Sequence, residues 1–257
     1  MEVIIDYTKS AQENANDYYN LSKKFLQKKA GAESTIKELE DKISKAKISN
    51  AKEPSKKPKI EESKEWYEKF HWLITSNGML AIGGRDAHQN EQLNSKYFND
   101  KDLFFHADIF GASVFILING LEAPKEIKEE VAGFAACYSN AWDLNVTTVD
   151  VYAMRRDQVS KSTMKGSLGT GSFLLSGERE WYKNMPLSLV VLIRDKKLVA
   201  IPKSTFGRIG ETGPYVVVEP GRMKKTEVAK QVASILKCDI DKLMQILPSG
   251  SMQIAKL

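Results

Sequence analysis

The stretch that decides the fold is HWLITSNGMLAIGG, His71–Gly84. Two apolar runs flank Asn77-Gly78, the dipeptide typical of a two-residue type I′ turn, so the stretch predicts an antiparallel hairpin closed at residues 77–78. Gly83-Gly84 ends the second strand. Asp86 then stands where a helix N-cap belongs, with Gln89 three residues on, and the helix that follows is expected to run to about Phe98.

Downstream, DLFFHAD and SVFILIN read as strands on either side of IFGA. After Pro124, the run KEIKEEVAGFAACYSNAWD has the 3.6-residue apolar period of a packed helix, with Val131, Phe134, Ala135, Tyr138 and Trp142 on its inner face. TTVDVYAM, GSFLLS, LSLVVLI, KLVAIP and YVVVEP are strand candidates, and two short helices are expected from about Thr226 and Ile240. The fold class is therefore α+β, with a mixed, largely antiparallel sheet and packed helices.

Upstream, Ala11, Ala15, Tyr18, Ser22, Phe25, Lys29, Ala32, Ile36, Leu39, Ile43 and Ala46 follow the 4-3 alternation of a coiled-coil seam. This predicts a long coiled-coil-type helix over residues 1–49, from about Thr8 to Lys47, with Asp6 as its cap and a partner for its seam. Residues 50–64, charged and holding two prolines, read as a linker, and residues 65–257 as the folded domain. The chain of 257 residues is 42% hydrophobic, enough for a core, and its net charge of +5 permits a polyanion partner without demanding one. Cys137 and Cys238 read as reduced thiols. No apolar run approaches a membrane span and MEVIIDYTKS lacks the pattern of a signal peptide, so a cytoplasmic, non-membrane protein is expected.

Two stretches concentrate the chemistry, GGRDAHQNE (Gly83–Glu91) and FFHADIFGAS (Phe104–Ser113). His88, His106, Asp86 and Asp108 would suit a metal only if brought together, and no HExxH, CxxC or His-rich set accompanies them, so no metal or cofactor is expected. STMK, Ser162–Lys165, has SxxK spacing, but a loop of small residues is a poor frame for a nucleophile, and GSLG (Gly166–Gly169) matches the GxxG phosphate clamp only loosely. Arg85 beside the amides of a helix start forms a candidate anion site, against the simpler reading of a strand-to-helix turn whose Arg85 and Asp86 pair and cap. The loop MRRDQVSKSTMK adds Arg155, Arg156, Lys161 and Lys165, and GRMKK adds Arg222, Lys224 and Lys225.

Taken in order, EWYEKFHWLITSNGMLAIGGRDAHQNE, FHADIFGAS, CYSNAW, DVYAMRRDQVSK and the closing LPSG (Leu247–Gly250) resemble the NFACT-R domain of the archaeal branch of the NFACT family, from Glu65 to about Leu257. SAQENANDYYNLSKK (Ser10–Lys24) resembles that family's coiled coil. The resemblance implies an RNA-binding role in ribosome-associated quality control and no catalysis by this domain. It implies tRNA and the large ribosomal subunit as partners, with a separate NFACT-N-containing chain or another helix partner for the arm, because the sequence starts near the coiled coil. The functional surface it implies holds Arg85, Asp86, Asn90 and Glu91, then His106, Asp108 and Ser113, then Ser160 and Lys161. Arg85 and Lys161 would meet phosphate. One departure is that SGEREW, Ser176–Trp181, puts acids where the family is usually basic. An adaptor working through its helix, or a DNA-binding module, are the other readings.

Overall fold

The computed structural model describes residues 5–50, 65–163 and 166–255, in two compact units that divide between Ser63 and Lys64. The linker expected at 50–64 falls, beyond Asn50, outside the described residues, as does Lys165.

The first unit is one helix, α1 (Ala11–Asn50). Its start is set by Ser10 rather than Asp6. The Ser10 N–H donates to Glu13 Oε2, and the Glu13 N–H returns to Ser10 Oγ, closing a capping box. Asp6 instead tightens the preceding turn by accepting from the Thr8 N–H. Phe25, Leu26 and Ile36 are exposed along α1. Among the described residues no helix is long and apolar enough to cross a membrane.

The second unit opens with the hairpin of β1 (His71–Ile74) and β2 (Leu80–Gly83). Its turn differs from the type I′ expectation. The Gly78 N–H bonds to Thr75 O, the Thr75 N–H to Met79 O, and Gly78 takes the positive φ, 87°, with Asn77 outside that region. Three residues make the connection, with glycine in the left-handed position. Ser76 supplies the reason. Its N–H and hydroxyl both donate to the buried Glu130 carboxylate, which also meets Arg208, so the turn is fastened from the far side of the core.

After β2 come α2 (Ala87–Lys96), β3 (Leu103–Ala107), β4 (Val114–Leu117), α3 (Lys125–Cys137) and β5 (Thr148–Met154). A loop with the two-residue strands β6 (Val159–Ser160), β7 (Ser162–Thr163), β8 (Gly166–Ser167) and β9 (Leu174–Leu175) leads to β10 (Glu180–Pro186). The main sheet has the order β1-β2-β4-β3-β5-β10, antiparallel throughout. The chain continues through β11 (Leu189–Arg194), β12 (Lys197–Pro202), α4 (Lys203–Ile209), β13 (Tyr215–Met223), α5 (Lys225–Leu236), α6 (Ile240–Ile246) and β14 (Met252–Ile254). These strands form a second antiparallel sheet in the order β12-β11-β13-β14.

Nine of the thirteen residues of α3 are buried, so the helix is covered on nearly all sides. It packs on β3, β4, β5 and β10 and also against β12 and α4. Phe115, Phe134 and Trp142 fill this core, and the Trp142 Nε1–H donates to Cys137 O; truncating such a ring to alanine costs about 3–5 kcal/mol. Burial pushes the Cys137 thiol up to about 12. The opposite face of the main sheet carries Phe104, Ile116, Tyr152 and Met154 under Leu93 of α2, with Phe98 and Val159 beside them. Strand alternation thus gives the sheet two buried faces, with α2 and the loop after β5 packed on the second one.

Candidate nucleic-acid interface

The two glycines before α2 serve packing. A Cβ on Gly83 would come 2.1 Å from the Phe115 ring, and one on Gly84 would come 2.1 Å from Asn90 Oδ1. Asn90 is buried and accepts the Val114 N–H, joining α2 to β4, while the Gly84 N–H bonds to Val114 O. Asp86 caps α2 as its position implies, taking the Gln89 N–H on its carboxylate. The Arg85 guanidinium turns inward and donates to the carbonyls of Glu68 and Phe70, and its Nε is buried with no hydrogen-bond partner. Beside it His71 stacks on Tyr138 at 3.9 Å between ring centroids. Burial, then the nearby Arg85 and Lys225 charges, press His71 down to about 3, so this imidazole is neutral near pH 7. The part of the GGRD motif expected to receive an anion is therefore occupied by backbone carbonyls and its own cap.

Glu91, one turn further along α2, holds the loop that follows β5. Lys161 Nζ lies 3.1 Å from its carboxylate, the Gly171 N–H donates to the same oxygen, and Lys161 also donates to the carbonyls of Gly169 and Ser172. The hydrogen bond from Lys161 holds the Glu91 carboxyl below its usual range. Gly171 sits at φ 77° with no room for a Cβ, which would come 2.7 Å from Ala87. Lys161 and Glu91 thus fasten the loop to α2. Arg156 donates to Val159 O and lies over the Phe98 ring, whereas Arg155 is exposed beside Asp157. Ser160 is exposed and bonds within its own turn to Ser162. Ser162 opens the short strand β7, not a helix, so the SxxK reading has no frame.

His106, Tyr152 and Trp181 stand opposite one another across β3, β5 and β10. Tyr152 Oη is 3.3 Å from His106 Nδ1, and the Trp181 ring meets Tyr152 edge-on at 5.6 Å. Burial lowers the His106 pKa and raises that of Tyr152, leaving both neutral. The row ends in cations. Arg179 Cζ lies 4.4 Å from the Tyr152 ring centroid and 5.6 Å from that of Trp181, and Lys183 Nζ lies 4.0 Å from the Trp181 centroid. Asp108 pairs with Arg179 and Asp150 with Lys183. A groove of about 670 Å³ opens at the Arg179 end of this row, lined by Arg155, Asp157, Gln158, Glu178, Arg179 and Glu180.

The structure thus joins Glu91 with Lys161 and puts His106 and Asp108 on one face. It places Arg85 inside a separate cluster and fixes Ser113 through its N–H to Tyr138 O. His88 is exposed while His106 lies under Tyr152, and the described residues hold no cluster of three His, Cys, Asp or Glu suited to a metal. Arg179, Trp181 and Lys183 were missed in the sequence, although the alternation R-x-W-x-K marks one strand face. Of the acids in SGEREW, Glu180 faces the other way, bonded by Tyr182 and close to Lys128.

Residues 69–177 match the family model described as the NFACT protein RNA binding domain. The chain is 36% identical over 209 residues to the archaeal Rqc2 homologue aRqcH of Methanocaldococcus jannaschii, covering 78% of this chain and 31% of that protein. It is 37% identical over 206 residues to the ribosome quality control complex subunit NEMF homologue of Drosophila melanogaster, covering 75% of this chain and 20% of that one. It is 32% identical over 187 residues to ribosome quality control complex subunit 2 of Schizosaccharomyces pombe, covering 70% and 18%. The chain therefore spans about a third or less of the length of these relatives. The ordered motifs, the α+β fold that carries them and these matches agree: the chain belongs to the NFACT family, with an RNA-binding domain of the archaeal type.

Proposed function

We propose that this chain is a non-enzymatic, cytoplasmic module that binds tRNA or ribosomal RNA on the large ribosomal subunit during ribosome quality control. The match of residues 69–177 to an RNA-binding family carries this reading, and the relatives named as ribosome quality control subunits support its place on the ribosome. Exposed Arg155, Ser160 and Asp108 would face the RNA with the neighbouring groove. Arg85, Asp86, Asn90, Glu91, His106, Ser113, Arg156 and Lys161 would act by holding that face in shape, and Lys165 would add charge to the loop. The apolar residues exposed on α1 support a second contact, with a helical partner such as an NFACT-N-containing chain.

Co-sedimentation of the purified chain with large subunits, with and without tRNA and at two salt concentrations, tests the reading. Phosphate contacts make log affinity fall with log salt, so binding that depends on tRNA and weakens in salt is expected. Salt-insensitive binding that survives deletion of residues 65–257 would instead assign the function to an adaptor working through α1.

A further inference from the structure

Trp181 lies four residues past the segment matched by the RNA-binding family model, on the edge strand of the main sheet. Buried Trp142 shows what a structural tryptophan looks like in this protein, fully enclosed with its N–H bonded to a carbonyl. Trp181 is different: it is 40% exposed, and its ring is met by the ammonium of Lys183 and, more distantly, the guanidinium of Arg179. These cations stand two residues before and two residues after it, roughly 7 Å away on either side along a strand. Each is held by one carboxylate, Asp108 or Asp150, of the kind a phosphate replaces.

The geometry points to Trp181 as a stacking platform for an unpaired RNA base, with Arg179 and Lys183 taking the phosphates on either side of that base. This assignment rests on the RNA-binding reading above and names the nucleotide state it selects. A base sliding onto the indole displaces the Lys183 ammonium from the ring, and the freed ammonium exchanges Asp150 for a phosphate. Tyr152 flanks the indole edge-on, with His106 next in the row, both neutral, so the platform keeps its form near pH 7. Bases inside a duplex have their faces closed by their neighbours, so the platform favours single-stranded segments such as loops and ends.

The full chain is titrated with a short labelled oligouridylate, with an RNA duplex of equal length and with tRNA. Trp181→Ala is expected to weaken single-strand binding roughly tenfold, to leave duplex binding within about twofold, and to keep the melting temperature. Trp181→Phe retains most of the affinity because the aromatic face remains. Trp181→Leu, which keeps apolar bulk without that face, loses as much as alanine and separates stacking from folding. Unchanged oligouridylate affinity in Trp181→Leu, with the wild type still binding tRNA, overturns the stacking site alone. A wild-type chain that binds none of the three RNAs overturns both this site and the RNA-binding reading.

Discussion

The start of α2 and the edge strand β10 carry similar chemistry, cations beside polar groups and aromatic rings, and use it in opposite ways. At α2 the Arg85 guanidinium turns toward the carbonyls of Glu68 and Phe70, next to the His71–Tyr138 stack. At β10, Lys183 lies over the exposed Trp181 ring and Arg179 covers the outer side of the buried Tyr152 ring. The first cluster has exchanged solvent for internal hydrogen bonds, so its residues hold the sheet and helix together. The second keeps its cations paired only with surface carboxylates, which a polyanion can replace. A dense polar motif is thus no guide to accessibility; the direction of each side chain from its element decides it.

Substitutions at the two regions sharpen this contrast. The largest effect is expected from Gly83→Ala, whose new methyl meets the Phe115 ring: a loss of about 3 kcal/mol in urea unfolding. Arg85→Ala follows, at about 2 kcal/mol, because it removes two charge-assisted hydrogen bonds to carbonyls; tRNA affinity of the folded fraction should stay within about twofold. If Arg85→Ala lost affinity and kept its stability, the two regions would share one function. His71 gives the inner cluster a pH signature. Folded His71 titrates at about 3 against 6.5 for the free group, so between these values the unfolded chain binds a proton that the folded chain refuses. Stability therefore falls as pH drops through that window, by about 1 kcal/mol from about pH 6.5 to about pH 5.5, and His71→Gln should flatten the curve apart from the share of His106. The smallest stability change, under about 0.5 kcal/mol, is expected at exposed Arg155. Arg155→Ala should nonetheless weaken tRNA binding several-fold and reduce the slope of log affinity against log salt by about 0.7–0.9, the share of one phosphate contact.

Much of the frame was legible in the sequence because local chemistry and tertiary packing agreed. The apolar runs around Asn77-Gly78 form the β1–β2 hairpin, Asp86 caps α2, and the 3.6-residue period after Pro124 is the buried helix α3, although α3 stops at Cys137 and Trp142, expected on it, reaches the core from a separate short turn. The turn type was not legible, since it depends on Ser76 reaching Glu130, 54 residues away. Strand β10 was hidden for a related reason. Its exposed positions mix the charged Glu180 and Lys183 with Trp181, Asn184 and Pro186, and the register shift between Tyr182 and Met185, with Asn184 at φ 54°, interrupts the alternation. Read as a departure from a basic pattern, SGEREW suggested acids aimed at RNA; on a strand, its Arg179 and Trp181 share one side and Glu180 takes the other. Read from the sequence, the candidate residues form one undivided set of polar positions, in which Lys161, whose ammonium is used by Glu91 and two carbonyls, looks the same as Arg155, exposed and paired with Asp157.

The four tryptophans offer a direct test, because Trp142 lies in the core, Trp66 and Trp72 lie near the first strand, and Trp181 stands on the proposed face. Two-dimensional NMR of the indole N–H groups during a titration with tRNA reads all four at once. The Trp181 resonance is expected to shift or broaden first while Trp142 stays in place, with the amides of Arg85–Gln89 little changed. A titration that moves the Arg85–Gln89 amides and leaves the Trp181 indole where it was would contradict that expectation.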